Sequence, residues 1–398
     1  MESDRLGSGY RLLWTASTSG ALADGIAATV LPLLMVSLTT NPVTVSLLQV
    51  ASGLPWLALS LHAGVLSDRW DRKRILWSAD LFRTSVVLAL LLGVVTEATS
   101  VAAILAASLL YSGATVLFRS ASPALLPSVV QEDDLASANG RLQTGTTSTG
   151  SLIGPSLGGV LFTLAAWVPF LTQACALGIS VIALRRLPEP DRPHVHSPRA
   201  PMRTEIAEGM RLIVQDRTLR ALAVSTTLLA ASTGMLLAVL VLHVLDTLHA
   251  SESSYGLLFT LYASGGLAIS TVVARAHARW GTRRCLILSA SLGAVSLLIV
   301  ALAATVTQAA TGMVLLEIAT MLYNVIAVTV RQQRTPDKLL GRVSSVFNLL
   351  SVGSLPLAAL AAGALATAYG TGPTISISAA LCIVATTTIA TLVPRSGV

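Results

Sequence analysis

Two acids in this chain stand where water is scarce. Asp24 sits in Gly20-Ala21-Leu22-Ala23-Asp24-Gly25, near the middle of one long apolar run, and Glu317 lies deep in another. A carboxylate at such depth is costly in hydrocarbon, so it normally faces a protein interior or a water-filled cavity. The chemistry open to it is titration, because burial favours the neutral acid while water or a nearby cation favours the carboxylate. Asp24 and Glu317 are therefore the candidates for carrying a proton, against the plainer reading that each holds a buried hydroxyl or amide. Asp80 and Arg83, three apart and so on one helix face, are expected to pair with each other or with the charged loop before them, in a structural role. Gln173, Tyr323 and Asn324 offer hydrogen bonds without charge; they are candidates for the polar lining of a cavity, with ordinary helix-to-helix bonding as the alternative. His243, Asp246 and His249 lie at helical spacing and read as a wetted helix end rather than a gate.

Other chemistry is not supported. There is no G-x-x-x-x-G-K-[ST] phosphate loop and no H-E-x-x-H pair, so neither an ATPase nor an embedded metalloprotease is indicated. Gly154-Pro155-Ser156-Leu157-Gly158 fits G-x-S-x-G, but a nucleophile elbow needs a strand before it, and this stretch lies inside an apolar run. His194 and His196 have no further ligands nearby, and Cys175, Cys285 and Cys382 stand alone in apolar runs, which suggests neither a metal site nor a disulfide framework. An enzyme is not expected, and no cofactor is called for.

The elements that must hold these residues are set by composition. Of 398 residues 53% are hydrophobic and only 11% charged, too little polar surface to cover a soluble globule of this size. The expectation is an all-α membrane protein. Runs long enough to cross a bilayer number twelve, at roughly 12–36, 43–66, 75–96, 100–122, 141–165, 167–186, 219–247, 255–275, 285–304, 310–330, 342–367 and 372–393. With both termini on one side, every Lys and Arg except Arg83 falls on that side or at the adjacent helix ends, and the opposite loops 37–44, 96–100, 246–254 and 304–310 carry none. By the positive-inside rule both termini are cytoplasmic, and the net charge of +7 encodes topology rather than a nucleic-acid partner. The first apolar run leads straight into a second span and is not read as a cleaved signal peptide. Two lysines against many arginines, with abundant alanine, fit a bacterial cytoplasmic membrane.

The chain divides into two related halves. Residues 1–186 and 218–398 each hold six spans, and 187–217 reads as a cytoplasmic linker, Pro- and Arg-rich at first and helix-like from Thr204 to Val214. Gly140-Arg141 is followed by Pro155, and Gly341-Arg342 by Pro356, at the same interval of fourteen residues after the arginine. Trp280 in 275–284 matches Trp70 in the charged loop, with Gly281 in place of Asp71. Two parallel six-span repeats are a transporter layout, with a substrate site between them and alternating access by rocking. The two densest motifs both lie in the first half. Gly64-Val65-Leu66-Ser67-Asp68-Arg69-Trp70-Asp71-Arg72-Lys73-Arg74 separates two apolar runs and cannot sit in hydrocarbon. Gly150, Gly154, Pro155, Gly158 and Gly159 crowd one span and make it a smooth, bent surface, read either as a static helix contact or as a bend that helps close the inner end of a pathway.

Residues 64–74 resemble the inner-loop signature of the major facilitator superfamily, G-x-L-[SA]-D-R-x-[DG]-R-[KR]-[KR], at every specified position. Residues 150–159 resemble the span-5 antiporter signature of its drug-efflux branches, G-x-x-x-G-P-x-x-G-G, and shorter stretches (20–32, 123–127, 135–139, 336–342) are similar to the branch of enterobactin-type siderophore and macrolide exporters. The resemblance implies twelve transmembrane helices in two six-helix pseudo-repeats, and outward transport driven by proton entry, with protons and a small amphipathic molecule (a drug, antibiotic or siderophore-like metabolite) as partners. It implies that Asp68 sits at the cytoplasmic start of span 11, that Arg69 and Arg72 hold the loop through ion pairs together with Asp71, and that Gly64 allows a close helix contact: an inner latch. It also implies that spans 1, 4, 7 and 10, hence Asp24 and Glu317, line the cavity. One departure is plain: the span-4 arginine that many relatives carry, four residues before a glycine, corresponds to Leu109 here. A monomer in the lipid bilayer is expected. The alternative is a lipid-moving or sensory protein that reuses the fold without coupled export.

Overall fold

In a computed structural model the chain is described over residues 6–69, 71–122, 125–188, 202–270 and 272–394, with the backbone alone at 60–69, 132, 202–206, 270, 337 and 338. Within these residues the regular structure is helical. The first helices are α1 (Gly7–Leu38), α2 (Pro42–Arg69), α3 (Arg72–Val95) and α4 (Val101–Ala121). Next comes a rod of α5 (Leu135–Thr147), a π-type turn (Ser148–Ile153) and α6 (Gly154–Leu164), then α7 (Val168–Arg186). The linker helix α8 (Met202–Gln215) precedes α9 (Arg217–Leu242), α10 (Glu252–Ser270), α11 (Val273–Ala301), α12 (Val306–Arg334), α13 (Asp337–Tyr369) and α14 (Thr371–Leu392). Counting α5–α6 as one rod and setting α8 aside gives the twelve expected spans among the described residues. Among the described residues ten helices are long and apolar enough to cross a membrane by length and composition alone.

The helix starts follow from local chemistry. Ser100 accepts a hydrogen bond from the Ala103 amide (3.2 Å) and Thr305 one from Gln308 (3.3 Å), the N-cap role these hydroxyls favour. Asp71 caps α3 by accepting from the Lys73 amide at 2.9 Å and the Arg74 amide at 3.4 Å. Its repeat counterpart Gly281 makes the corresponding break inside α11 with its backbone instead, at φ 73° and ψ 166°, a conformation that glycine enters without a steric penalty. Asp216 caps α9 through the amides of Thr218 (2.7 Å) and Leu219 (2.9 Å) and pairs with Arg334 at 3.7 Å.

Two compact units are present. One takes in Met1–Thr39, Ala51–His196 and Ser251–Thr260; the other Thr40–Val50, Ser197–Ala250 and Leu261–Val398. The first has a core of Leu13, Leu76, Ala114, Phe118, Leu126 and Leu184 from α1, α3, α4, α7 and the link after α4. The second is centred on Leu222, Leu286, Ala290, Tyr323, Phe347 and Ile389. The amphipathic α8 belongs to the second unit, where Glu208 pairs with Arg342 of α13 and Gly209 lies so close to Arg342 that a Cβ would come within 2.9 Å of its carbonyl oxygen.

Candidate functional site

In the first unit, α1, α3, α4 and α7 converge on one buried guanidinium. Arg83 of α3, 1% exposed, binds Asp80 one turn earlier: Nε donates to Oδ1 at 3.0 Å and Nη2 makes a second, shorter bond to the same oxygen. Its Nη1 donates to Asp24 Oδ1 on α1 at 2.8 Å and to Thr115 Oγ1 at 3.3 Å. Asp80 is fully buried, and its other oxygen accepts a bond from the Ser180 hydroxyl on α7. The guanidinium is walled by the rings of Tyr111 (5.4 Å to the centroid) and Phe118 (5.0 Å), and a Cβ at Gly20 would stand 3.4 Å from its Nη2. Burying charge is tolerable only when it is paired and its hydrogen-bonding capacity used, and both conditions are met here.

Asp24 is the more exposed of the two acids in this network. Its side chain is 21% exposed and lines a cavity of about 580 Å³ together with Ser17, Phe118, Arg119, Gln143 and Thr147. Its two oxygens are held differently. Oδ1 accepts from Arg83 and from the Tyr111 hydroxyl at 2.9 Å. Oδ2 faces Arg119 Nη2 at 3.5 Å, and Arg119 is 59% exposed with its guanidinium 5.9 Å from the Trp56 ring. Among the described charges here, two carboxylates balance two guanidiniums.

The glycine-rich rod fixes where Asp24 sits. A Cβ on Gly25 would collide with the Gly150 carbonyl oxygen and stand 3.0 Å from Gly154 Cα, so α1 and the π-type turn meet backbone to backbone beside the acid. Gly158 lies against Ile26 and Val30, and Gly159 against Glu252 and Gly256 of α10. Pro155 follows the turn directly, at the second residue of α6, and contributes no amide to the ladder there. On the other side of Asp24, Gln173 Nε2 donates to the Ala23 carbonyl at 3.0 Å. Gln173 is thus buried as an α7–α1 tie, and it is not among the residues lining the 580 Å³ cavity.

Glu317 belongs to the second unit. Its side chain packs over Gly265 and Gly266 of α10, and its Oε2 is buried with no hydrogen-bond partner among the described residues. Tyr323 and Asn324 line a separate cavity of about 220 Å³ with Thr226, Ser289, Gly293 and Cys382. The Tyr323 hydroxyl is bound to Ser225 (2.6 Å) and Thr226 (3.0 Å). Gly293 stands thirteen residues after Trp280, as Arg83 stands thirteen after Trp70, so the position filled by a guanidinium in one repeat is cavity lining in the other.

Of the inner-loop residues, the side chains of Gly64, Asp68 and Arg69 lie outside the described residues. Asp71 is the α3 cap and also pairs with Arg74 at 3.4 Å; Arg72 is the first residue of α3. His243 is fully buried, with Nδ1 3.0 Å from Thr371 Oγ1 and Nε2 3.0 Å from the Val300 carbonyl, a helix seam and not the wetted end expected for it. The pairing of Asp80 with Arg83 follows the spacing, but Asp24 as their third member, and Tyr111 and Arg119 altogether, were missed. The signal was there: Tyr111, Thr115 and Arg119 recur every four residues in a mainly apolar span, a polar stripe on one helix face.

The family model described as transmembrane secretion effector matches residues 7–396. The MFS-type transporter y4rN of Sinorhizobium fredii is 28% identical, over 89% of this chain and 88% of its own length. The multidrug efflux pump Tap of Mycobacterium tuberculosis is 26% identical, over 99% of this chain and 95% of its own. Among solved structures, the nucleoside transporter NupG superposes with a TM-score of 0.79 at 12% identity, covering 97% of this chain and 99% of its own. An inward-facing bacterial homologue of the iron transporter ferroportin does so with a TM-score of 0.80 at 16% identity, covering 97% and 99%.

Proposed function

The chain belongs to the transmembrane secretion effector family of major facilitator superfamily transporters, and from that premise we propose a proton-coupled exporter of small amphipathic molecules, working by alternating access across the bacterial cytoplasmic membrane. The observation that carries this reading is Asp24: a mid-span carboxylate open to a cavity through one oxygen and anchored through the other to a buried arginine. Such a group binds a proton when its cavity dries and releases it when water and cations return. Glu317, with one oxygen bare and buried in the second unit, is a second proton carrier. Similarity to a multidrug efflux pump over nearly the whole chain supports outward transport of a drug, antibiotic or siderophore-like metabolite.

In this cycle residues 1–186 and 218–398 are the moving halves, 187–217 tethers them on the cytoplasmic side where both termini lie, and one chain suffices. Gly64, Asp68, Arg69, Asp71 and Arg72 act as the inner latch, and the run from Gly150 to Gly159 as the bend that closes the inner end of the pathway. The test is substrate flux in proteoliposomes under an imposed pH gradient. Wild-type flux should follow the gradient, and Asp24→Asn should lose that response while folding normally. Flux indifferent to the gradient in the wild type overturns coupled export in favour of a lipid-moving or sensory protein.

A further inference from the structure

We infer that Arg119 is a built-in competitor for the transported molecule at Asp24, and that the molecule it competes with is an organic monocation. This rests on the reading of Asp24 as the transport acid and adds to it the sign of the cargo and the residue that gates it.

The two oxygens of Asp24 set up the competition. Oδ1 is saturated by Arg83 Nη1 (2.8 Å) and the Tyr111 hydroxyl (2.9 Å), both fixed in the packed interior. Oδ2 turns to the cavity and, among the described residues, meets the Arg119 guanidinium, at ion-pair distance (3.5 Å). Arg119 is well over half exposed, and its head also lies over the Trp56 ring, so a second resting place is within reach when it leaves Oδ2. The Arg119 end of this pair is wetted, and a long side chain held still against water and salt gains little from the contact. Among the described contacts of Asp24 it is the most readily replaced.

Charge balance then selects the occupant. Arg83 is shared between Asp80 and Asp24, so with Arg119 displaced the site holds two carboxylates against one guanidinium. A cation entering the cavity restores neutrality at Oδ2. An anion drawn to Arg119 would pull it away and leave the deficit, at a depth where uncompensated charge is costly. The rest of the wall mixes apolar Phe118, Leu126 and Leu142 with the polar side chains of Asn139, Gln143 and Thr147, surface that can take both the apolar body and the polar groups of an amphiphile.

The experiment uses two ions of the same shape and opposite charge, tetraphenylphosphonium and tetraphenylborate, bound to the full-length protein in detergent micelles by equilibrium dialysis at fixed pH. Arg119→Gln should tighten tetraphenylphosphonium binding about two- to fivefold, Arg119→Lys should stay near wild type, and Asp24→Asn should abolish the effect of Arg119→Gln. Tetraphenylborate should gain nothing. The proposal is overturned if Arg119→Gln leaves the cation's affinity unchanged, if the borate binds more tightly than the phosphonium in wild type and loses binding in Arg119→Gln, or if neither ion binds either form. No gradient is present in this measurement, so its failure is separate from failure of proton coupling, which the flux assay reads.

Discussion

At the scale of the residue, the first unit depends on Arg83 in a way its neighbours do not share. One guanidinium serves two carboxylates, so removing it leaves Asp80 fully buried and Asp24 half-satisfied. Arg83→Met should therefore lower stability by about 3–5 kcal/mol, the cost of stranding a buried charge. Asp80→Asn combined with Arg83→Met should recover a large part of that loss, because the stranded charge is gone. Thermal unfolding of the purified protein in micelles checks both, and equal destabilisation by the single and double variants would show that the charge is not what matters. Sequence spacing made Asp80 and Arg83 legible as a pair. It could not show that Asp24, 59 positions away, completes them, because nothing local in α1 distinguishes an acid facing α3 from one facing α12.

At the scale of the element, the rod α5–α6 and helix α1 are joined by absence of side chains. Gly25, Gly150 and Gly154 let two backbones touch, and in lipid such close approach supplies the van der Waals contact that apolar burial cannot. Gly25→Ala should cost about 1–3 kcal/mol through overpacking, and should impair transport by pushing Asp24 off its partners. Gly178→Ala on α7 is the control: a Cβ there meets nothing within 4 Å, so it should be neutral or stabilising by up to ~1 kcal/mol through helix propensity. Melting temperatures of the two variants decide it. The glycine and proline pattern announced a closely packed span but not the π-type turn: Pro356 holds the matching place in α13 without one, so the residues alone do not mark it. His243 shows the same limit from the other side: its spacing with Asp246 and His249 is real, yet Thr371 and Val300, distant in sequence, take both ring nitrogens.

At the scale of the whole molecule, twelve spans and their repeat were readable because hydrocarbon imposes length and apolarity on every one of them. Arginine placement gives an expected orientation, with both termini cytoplasmic, and it is testable directly. In a Cys175→Ser background, where Cys285 and Cys382 remain buried, a cysteine at exposed Thr40 should react with a membrane-impermeant maleimide in intact cells, and one at exposed Asp133 only after permeabilisation. Reversed labelling would invert the topology. What hydropathy cannot carry is the inequality of the two repeats. The rod α5–α6 and helix α13 hold their prolines at matching places, Pro155 and Pro356, but only the former also has the widened turn at 148–153. A column with a skipped rung is the more compliant of two otherwise alike, so under a common load deformation gathers there first. The soft spot abuts Gly25, the residue after Asp24, and the carboxylate is thereby the first chemical group to feel the column flex.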